Sequence, residues 1–489
     1  MLTARFRKIL FSIMSVVVVA AVAVGVVGAA ATAKSLSTNY TLVNLGNQQA
    51  TVTVNYYKED GSNWVASSSS TNLVIPANGG QAIVAQYFDA TMSAGRGSAV
   101  VNSDQPLGAV VQILARGQVP TSGAYIGSSA TDSTYYVPLV IRRLNGTNSQ
   151  IMVQNADTGS VTVSIQLVKA SASPGASYTK PNITIAQGAT YYYDLDDESS
   201  ANVADGWFGS AVVTAASGKK ISVVSNLFAG ADQLQTFNAF SQSNLATLWY
   251  IPLFTSRLSN NLSTPVTVQN LSGGTIAAGG IQMTCTKDAA SPGTNFTASN
   301  TAAVANNESV FFNPVADTVN IPQSGWFGSC RINSTGNVVA FVQMRQPGVT
   351  PGAAAYEAIK GTGTATTVLV PLVAKRLGNG FATAVTIQNL NQSTAATVNL
   401  TYVPSSAYVS GGGSASNITV NGLSIPAGGS LILNHRLPTG TGVTPVPDGW
   451  YGTLTVESTN GVALDGFVQL TKTTAPSGDE LMAHGLFTK

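Results

Sequence analysis

Charge is scarce in this chain. Asp, Glu, Lys and Arg make up only 9% of its 489 residues, and 23 basic against 21 acidic side chains leave a formal net charge of +2. A nucleic-acid binder needs a basic stripe to displace counterions from phosphate, and none is present, so nucleic acid is not an expected partner. Histidine is scarcer still, with only His435 and His484. No H-E-x-x-H pair, cysteine-rich zinc spacing, Walker loop or G-x-S-x-G elbow occurs. A Ser-His-Asp triad assembles in space rather than in sequence, yet two histidines and no elbow give it little to start from. No catalytic residue is assigned, and the expectation is a protein that is not an enzyme and has no cofactor. Long amphipathic helical patterns are also missing beyond the first thirty residues. What remains is 44% hydrophobic, enough for packed cores, so the richness in Ser, Thr, Asn and Gly is not disorder. The 48 Gly and 20 Pro fall between short apolar runs, as they do where many turns join many strands. The class is all-β.

Residues 1–33 read as an export segment. Arg5, Arg7 and Lys8 precede an apolar run from Ile9 to about Val27, and Ala29-Ala30-Ala31-Thr32-Ala33 offers cleavage after Ala31 or Ala33. The run is longer than the ~7–15 residues usual for a signal core and nearly long enough to span a bilayer. A cleaved signal peptide and an uncleaved N-terminal anchor both fit. Either one places the rest of the chain outside the cytoplasm, with membrane contact only through this segment.

Self-similarity dominates the remainder. Three segments open alike: Val137-Pro138-Leu139-Val140, Ile251-Pro252-Leu253-Phe254 and Val370-Pro371-Leu372-Val373, each with an Arg five residues after its Pro (Arg143, Arg257, Arg376). Each then reaches a strand ending in Gln-Asn, at Asn155, Asn270 and Asn389, and Leu42-Val43-Asn44 is the matching end in an earlier segment. A second landmark follows: Gly206-Trp207-Phe208-Gly209-Ser210, Gly325-Trp326-Phe327-Gly328-Ser329 and Gly449-Trp450-Tyr451-Gly452-Thr453, with Gly95-Arg96-Gly97-Ser98 in the first. Four repeats are expected, over residues 34–135, 136–248, 249–368 and 369–489. After the Asn landmark, Val52/Val54/Tyr56, Val163/Ile165/Leu167, Ile281/Met283/Cys285 and Val398/Leu400/Tyr402 alternate with polar residues. That is the pattern of a strand with one face in a core and one in water. Units of about 100 residues built this way match two-sheet sandwiches.

The only cysteines, Cys285 and Cys330, both fall in the third repeat at inward-facing positions. The corresponding pairs elsewhere are Tyr56 with Ala99, Leu167 with Ala211, and Tyr402 with Leu454. The expectation is a disulfide across the core, worth roughly 4 kcal/mol by loop closure, with two buried free thiols as the alternative.

Other candidates carry a plainer reading beside the functional one. Asp194, Asp196, Asp197 and Glu198, with Asp205 nearby, place several hard oxygen ligands in one loop and make a candidate calcium site. The plainer reading is a solvated loop after Tyr191-Tyr192-Tyr193. Asp194 aligns with Gln86, Asn313 and Asn434, which suits a turn cap. Trp207, Trp326 and Trp450 suit either sugar-stacking platforms or plugs at the sandwich ends, and the plug is favoured. The repeated arginines suit anionic glycans, or an acid or carbonyls near a repeat junction. Asn44, Asn155, Asn270 and Asn389 are expected to hydrogen-bond backbone where their strands end.

Together, the Pro-Leu-Val opening, the Val-Gln-Asn strand end and the Gly-Trp-Phe-Gly-Ser turn resemble tandem immunoglobulin-like repeats of bacterial cell-surface proteins. Modules similar to the cell-adhesion-related domain found in bacteria belong to that group. The resemblance spans about residues 36–489 and implies four immunoglobulin-like β-sandwiches after the export segment, displayed extracellularly or at the cell surface. Short linkers, as where Tyr135-Tyr136 runs into Val137-Pro138, point to a semi-rigid rod with a structural or adhesive role. Its expected partners are other envelope or surface components, further copies of itself, or glycans. The rivals are a carbohydrate- or surface-binding adhesin using exposed Trp64, Trp207 or Trp249, and a secreted polysaccharide-active enzyme with paired carboxylates. One irregularity stands out. Pro lies 17 or 18 residues before Asn in repeats 2–4, and the same count back from Asn44 ends inside the export segment. The first repeat therefore lacks an opening strand. Either its edge is left for a neighbour, or Leu36–Tyr40 substitutes, or an uncleaved anchor holds it.

Overall fold

A computed structural model describes residues 25–26, 35–116, 121–128, 132–230, 233–317, 320–322, 324–347, 352–438, 444–472 and 478–489. The export segment lies outside them, apart from a backbone pairing of Gly25–Val26 with Ser35–Leu36. The fold is all-β and every strand pair is antiparallel. Apart from strands, the described residues form only turns and short helical pieces such as Ser68–Thr71 and Ser406–Ser410.

The second repeat shows the complete plan. One sheet has the order Tyr178–Ile185, Val161–Lys169, Trp207–Ala215, Thr134–Arg142, Phe240–Ser241. The facing sheet has the order Thr190–Asp194, Thr147–Asn155, Ile221–Ala229, Gln233–Asn238. The fourth repeat repeats this order strand for strand. In the third, Trp326–Gln346 runs unbroken from one sheet into the other. Alternation drives the assembly: Val161, Val163, Ile165 and Leu167 are buried while Thr162 and Gln166 face water.

Among the described residues the first repeat is incomplete. Its facing sheet is present, built on Ser35–Asn44, Gln81–Ala85, Leu107–Arg116 and Ser122–Ile126. Among the described residues its other sheet has only Asn72–Ile75, Ala50–Lys58 and Gly97–Ser103. No described strand pairs with the outer edge of Gly97–Ser103, the place taken by Thr134–Arg142 in repeat 2. Leu36–Tyr40 does not substitute. It forms the front of the strand ending at Asn44, in the opposite sheet, paired with Leu107–Arg116.

The repeats do not string out into a rod. The last long strands of the four facing sheets, Ser122–Ile126, Gln233–Asn238, Gly352–Glu357 and Met482–Gly485, pack against one another in cyclic order, and the fourth touches the first. The physical reason is burial on both strand faces: Ala353, Ala354, Ala355 and Tyr356 are all buried in succession. A strand buried on one face only would alternate. These strands need cover beyond their own sandwich and find it in each other. Tyr356 of repeat 3 stacks on Phe467 of repeat 4, with centroids 4.1 Å apart. Gln343 donates to Gln235 across repeats 3 and 2 at 2.7 Å.

Candidate functional site: the ring contacts and the open edge

The ring is built from a few recurring contacts, and the sequence landmarks supply them. The residue after the landmark Gly is a small hydroxyl in every repeat. Ser98 Oγ donates to Gly188 O (3.0 Å), Ser210 to Asn307 O, and Ser329 to Gly428 O (2.7 Å). Thr453 lies against the turn at Gly79 and closes the circle from repeat 4 to repeat 1. Gly188, Asn307 and Gly428, like Asn78 in repeat 1, have φ of 74°, 67°, 66° and 58°. This left-handed turn is what aims the carbonyl outward at the preceding repeat.

The second contact uses the opening Pro. Ser309 Oγ donates to Pro138 O (2.7 Å), Ser430 Oγ to Pro252 O (2.8 Å), and Gln81 Nε2 to Pro371 O. Ser309, Ser430 and Gln81 occupy one address, opposite the residue just before the landmark Asn. Thr190 holds that address in repeat 2. Its side chain is buried, and its hydroxyl has no partner.

At the centre lies Asp479, fully buried. Its Oδ2 accepts from Leu234 N (3.1 Å) and its Oδ1 from Ala353 N (3.0 Å) and Leu481 N (3.1 Å), while Ser122 Oγ donates to its carbonyl (3.2 Å). One residue thus links all four repeats.

The other landmarks are framework. The landmark Gly sits against a neighbouring carbonyl: a Cβ at Gly97, Gly209, Gly328 or Gly452 would fall 1.9–2.2 Å from the carbonyl oxygen of Tyr57, Val168, Thr286 or Val403. No other residue fits there. Trp207, Trp326 and Trp450 are buried, and Trp326 packs against Phe254 and Phe296 with centroids 6.0 and 4.9 Å away. Trp64 and Trp249 are buried as well, so none of the tryptophans named for sugar stacking faces solvent. In repeat 1, Gly95 stands at the landmark Trp position, and the ring of Trp64 from a preceding loop lies 3.4 Å from where its Cβ would be. Its Nε1 donates to Ser93 O at 3.0 Å, as Trp207 and Trp326 donate to Ala176 O and Thr294 O.

Each landmark Asn bolts its strand end. Asn155 Nδ2 donates to Gly159 O, Ile185 O and Ala186 O, and its Oδ1 accepts from Asp157 N. Asn44, Asn270 and Asn389 make the same pattern. Arg143, Arg257 and Arg376 have φ of 49°, 47° and 45°, and close the turn after the opening strand. They hold loops within their own repeats and do not reach a junction: Arg143 pairs with Asp196 and Asp205, Arg257 donates to Val315 O, and Arg376 pairs with Asp448.

The acidic cluster disperses. Asp194 caps a turn by accepting from Asp196 N (2.9 Å) and takes Asn148 (2.7 Å), while Asp196 faces Arg143. Asp197, the last residue of that turn, makes no described side-chain bond to the other three. Burial opposes ionisation of Glu198, but Asn202, Lys180 and Tyr193 hold its pKa down at about 2. Among the described residues no three His, Cys, Asp or Glu come together as a metal site. The strand register also moves one position. Ala85, not Gln86, lies where Asp194, Asn313 and Asn434 lie, so repeat 1 lacks this cap.

Cys285 and Cys330 are bonded, with Cα atoms 4.0 Å apart. The bond does not cross the core. The two are register partners on adjacent strands of one sheet, as are Tyr56 with Ala99, Leu167 with Ala211, and Tyr402 with Leu454. The alternating pattern put both on one inward face but could not say whether they lay in one sheet or two. His435 and His484 are buried, and His435 is flanked by Tyr402 OH (3.1 Å) and Thr383 Oγ1 (3.4 Å). Burial, with Lys375 nearby, lowers the His435 pKa to about 3, and burial lowers that of His484 to about 4. Between repeats 1 and 4 a pocket lined by Gln112, Leu114, Phe381, Leu470 and Met482 has room for about one water.

Sequence reasoning missed the ring. The small hydroxyl recurring at 98, 210, 329 and 453 was its visible signal, since packing alone does not ask for a hydroxyl at that place.

No family model matches the chain, and no curated protein matches it. Among solved structures, the full-length RrgB pilus protein of Streptococcus pneumoniae aligns over 97% of this chain and 90% of its own, at 8% identity and a TM-score of 0.11. The RrgB pilus backbone structure from the same organism aligns over 78% and 86%, at 9% identity and a TM-score of 0.11.

Proposed function

We propose that this chain is a non-enzymatic structural component of the cell exterior, a prebuilt block in which four sandwiches form one rigid ring. The observation that carries the reading is where the recurring polar groups go. The Ser/Thr hydroxyls and prolyl carbonyls are spent on joining repeats, and the asparagines, arginines and tryptophans on holding strand ends, turns and cores. A ring locked by Asp479 transmits load as a unit, whereas beads on linkers do not. The leader-like segment and the disulfide fit an oxidising, extracytoplasmic setting.

Protease shaving of intact cells, with and without a chelator, tests the location. The expected result is loss of the protein from whole cells, independent of chelator. Full protection until lysis sinks the reading. Small-angle scattering tests the block: a compact particle of 489 residues has a radius of gyration of about 23 Å, well below that of an extended four-domain rod.

A further inference from the structure

Among the described residues the first repeat has an unfilled strand position, and three features converge on it. The outer edge of Gly97–Ser103 has no described partner strand. Beneath it, Ala99 and Val101 are only partly buried, whereas Ala211 and Val213 at the same positions of repeat 2 are sealed by Thr134–Arg142. At one end lies the turn Gln86–Phe88, whose Tyr87 and Phe88 are 40% and 55% exposed. In repeat 2 that turn is Leu195–Asp197, and Arg142 at the end of the opening strand grips it by donating to Leu195 O (2.9 Å).

The third feature comes from the neighbouring repeat. Ser309, Ser430 and Gln81 each donate to the prolyl carbonyl of the preceding repeat's opening strand. Thr190 stands at the same address facing repeat 1, where no described strand takes that place. It is 5% exposed and its hydroxyl is without a partner. Other buried oxygens in the molecule lack partners too, but Thr190 is distinguished by three counterparts that show what is missing. A buried hydroxyl deprived of its partner costs free energy, so the site favours whatever restores a backbone carbonyl.

We infer that repeat 1 is a strand acceptor: an extended segment of a different protein, apolar on both faces like the opening strands of repeats 2–4, adds antiparallel to Gly97–Ser103, covers Ala99 and Val101, and offers Thr190 a main-chain carbonyl. The inference rests on the exported form of the proposed function, with the leader removed after Ala31 or Ala33. That cut leaves too little chain before the strand at Ser35 to supply a strand in cis. A second copy is a poor donor, because its opening strands are all held in their own sheets. Main-chain pairing supplies the affinity in such strand addition, and alternate side chains supply the selectivity.

The test uses the exported protein, its N-terminus read by mass spectrometry, and a labelled nine-residue peptide with the sequence of residues 134–142. Saturable binding is expected, with slowed amide exchange confined to Gly97–Ser103, and a scrambled peptide should not bind. Thr190→Val should weaken binding about three- to tenfold, the loss of one hydrogen bond. No saturable binding, or protection elsewhere, overturns the inference. So does an edge already protected without peptide in a chain that retains residues 1–33, which assigns the position to the chain's own leader. Self-association that the peptide competes away overturns it in favour of a second copy. Chain length and cell location are read separately, so failure of the export reading is distinguishable from failure of the acceptor.

Discussion

The first and third repeats solve the same packing problem with different completeness. In both, a strand after the landmark Asn pairs in the same register with the strand after the landmark Gly, Tyr56 opposite Ala99 in one and Cys285 opposite Cys330 in the other. In repeat 3 the opening strand Ala246–Ser256 closes the sheet, Trp326 plugs the end and a disulfide ties two neighbours. In repeat 1 no described strand takes that place, a tryptophan is borrowed from a loop, and the hydroxyls of Tyr40 and Tyr56 meet inside the core. The comparison teaches that register and core pattern are set locally, whereas closure is set by one strand. Repeat 1 should therefore be the first to open when the ring is stressed.

The largest expected effect comes from the plugs. Trp326→Ala should destabilise repeat 3 by about 3–5 kcal/mol, and Trp64→Ala repeat 1 by the lower end of that range, because its cavity borders an open edge. Chemical denaturation with amide exchange resolved by repeat checks both, and equal losses would erase the contrast. Next, replacing Cys285 and Cys330 together by Ala should cost roughly 4 kcal/mol by loop closure, bringing repeat 3 toward repeat 1. A denaturation midpoint unchanged from the parent would refute this.

Acid provides a third lever, acting on repeat 4. His435 and His484 are held neutral, with folded pKa values of about 3 and 4 against an ordinary 6.5. The unfolded chain binds protons first, so stability is intact above pH 6.5 and falls as the pH drops toward 4. Asp465 works the other way. Burial raises its pKa to about 7, so it relieves a penalty as the pH falls from 7 toward 4. The two histidines outweigh it, and His435→Gln should recover on the order of 3 kcal/mol at pH 4. Thermal unfolding at pH 7 and pH 4 checks the sign. The smallest effect belongs to a single ring contact: Ser329→Ala should cost about 1 kcal/mol and speed exchange at the turn around Gly428.

Much of this was legible in the residues. Period-2 alternation located the core strands, because it follows from local burial, and the paired landmarks fall at matching register positions. The strand-end role of Asn155 and its counterparts was readable from their place at the end of a pattern. The ring was not. Ser210 and Asn307 lie far apart in the chain, and nothing local marks a carbonyl as aimed at another repeat. The rod was the wrong shape because Ala353-Ala354-Ala355 resembles an ordinary small-residue strand until both of its faces are seen to be buried. The acidic loop shows four carboxylates in a row but not their partners: Arg143, some fifty residues earlier, pairs with Asp196.

Asp479 sets an order of events. Its partners Ser122, Leu234 and Ala353 are all made before it, because synthesis runs from the N-terminus. Three sandwiches can fold as they emerge, but the amides of Leu234 and Ala353 wait for a carboxylate that arrives last. Until then the inner strands present apolar faces and unpaired amides, a hazard for unplanned association. Closing the loop from repeat 4 back to repeat 1 is the longest-range step in the molecule and should set the pace of maturation. A chain whose last repeat is delayed or damaged would stall as an open arc, visible to proteases and chaperones, which gives the cell a checkpoint on assembly.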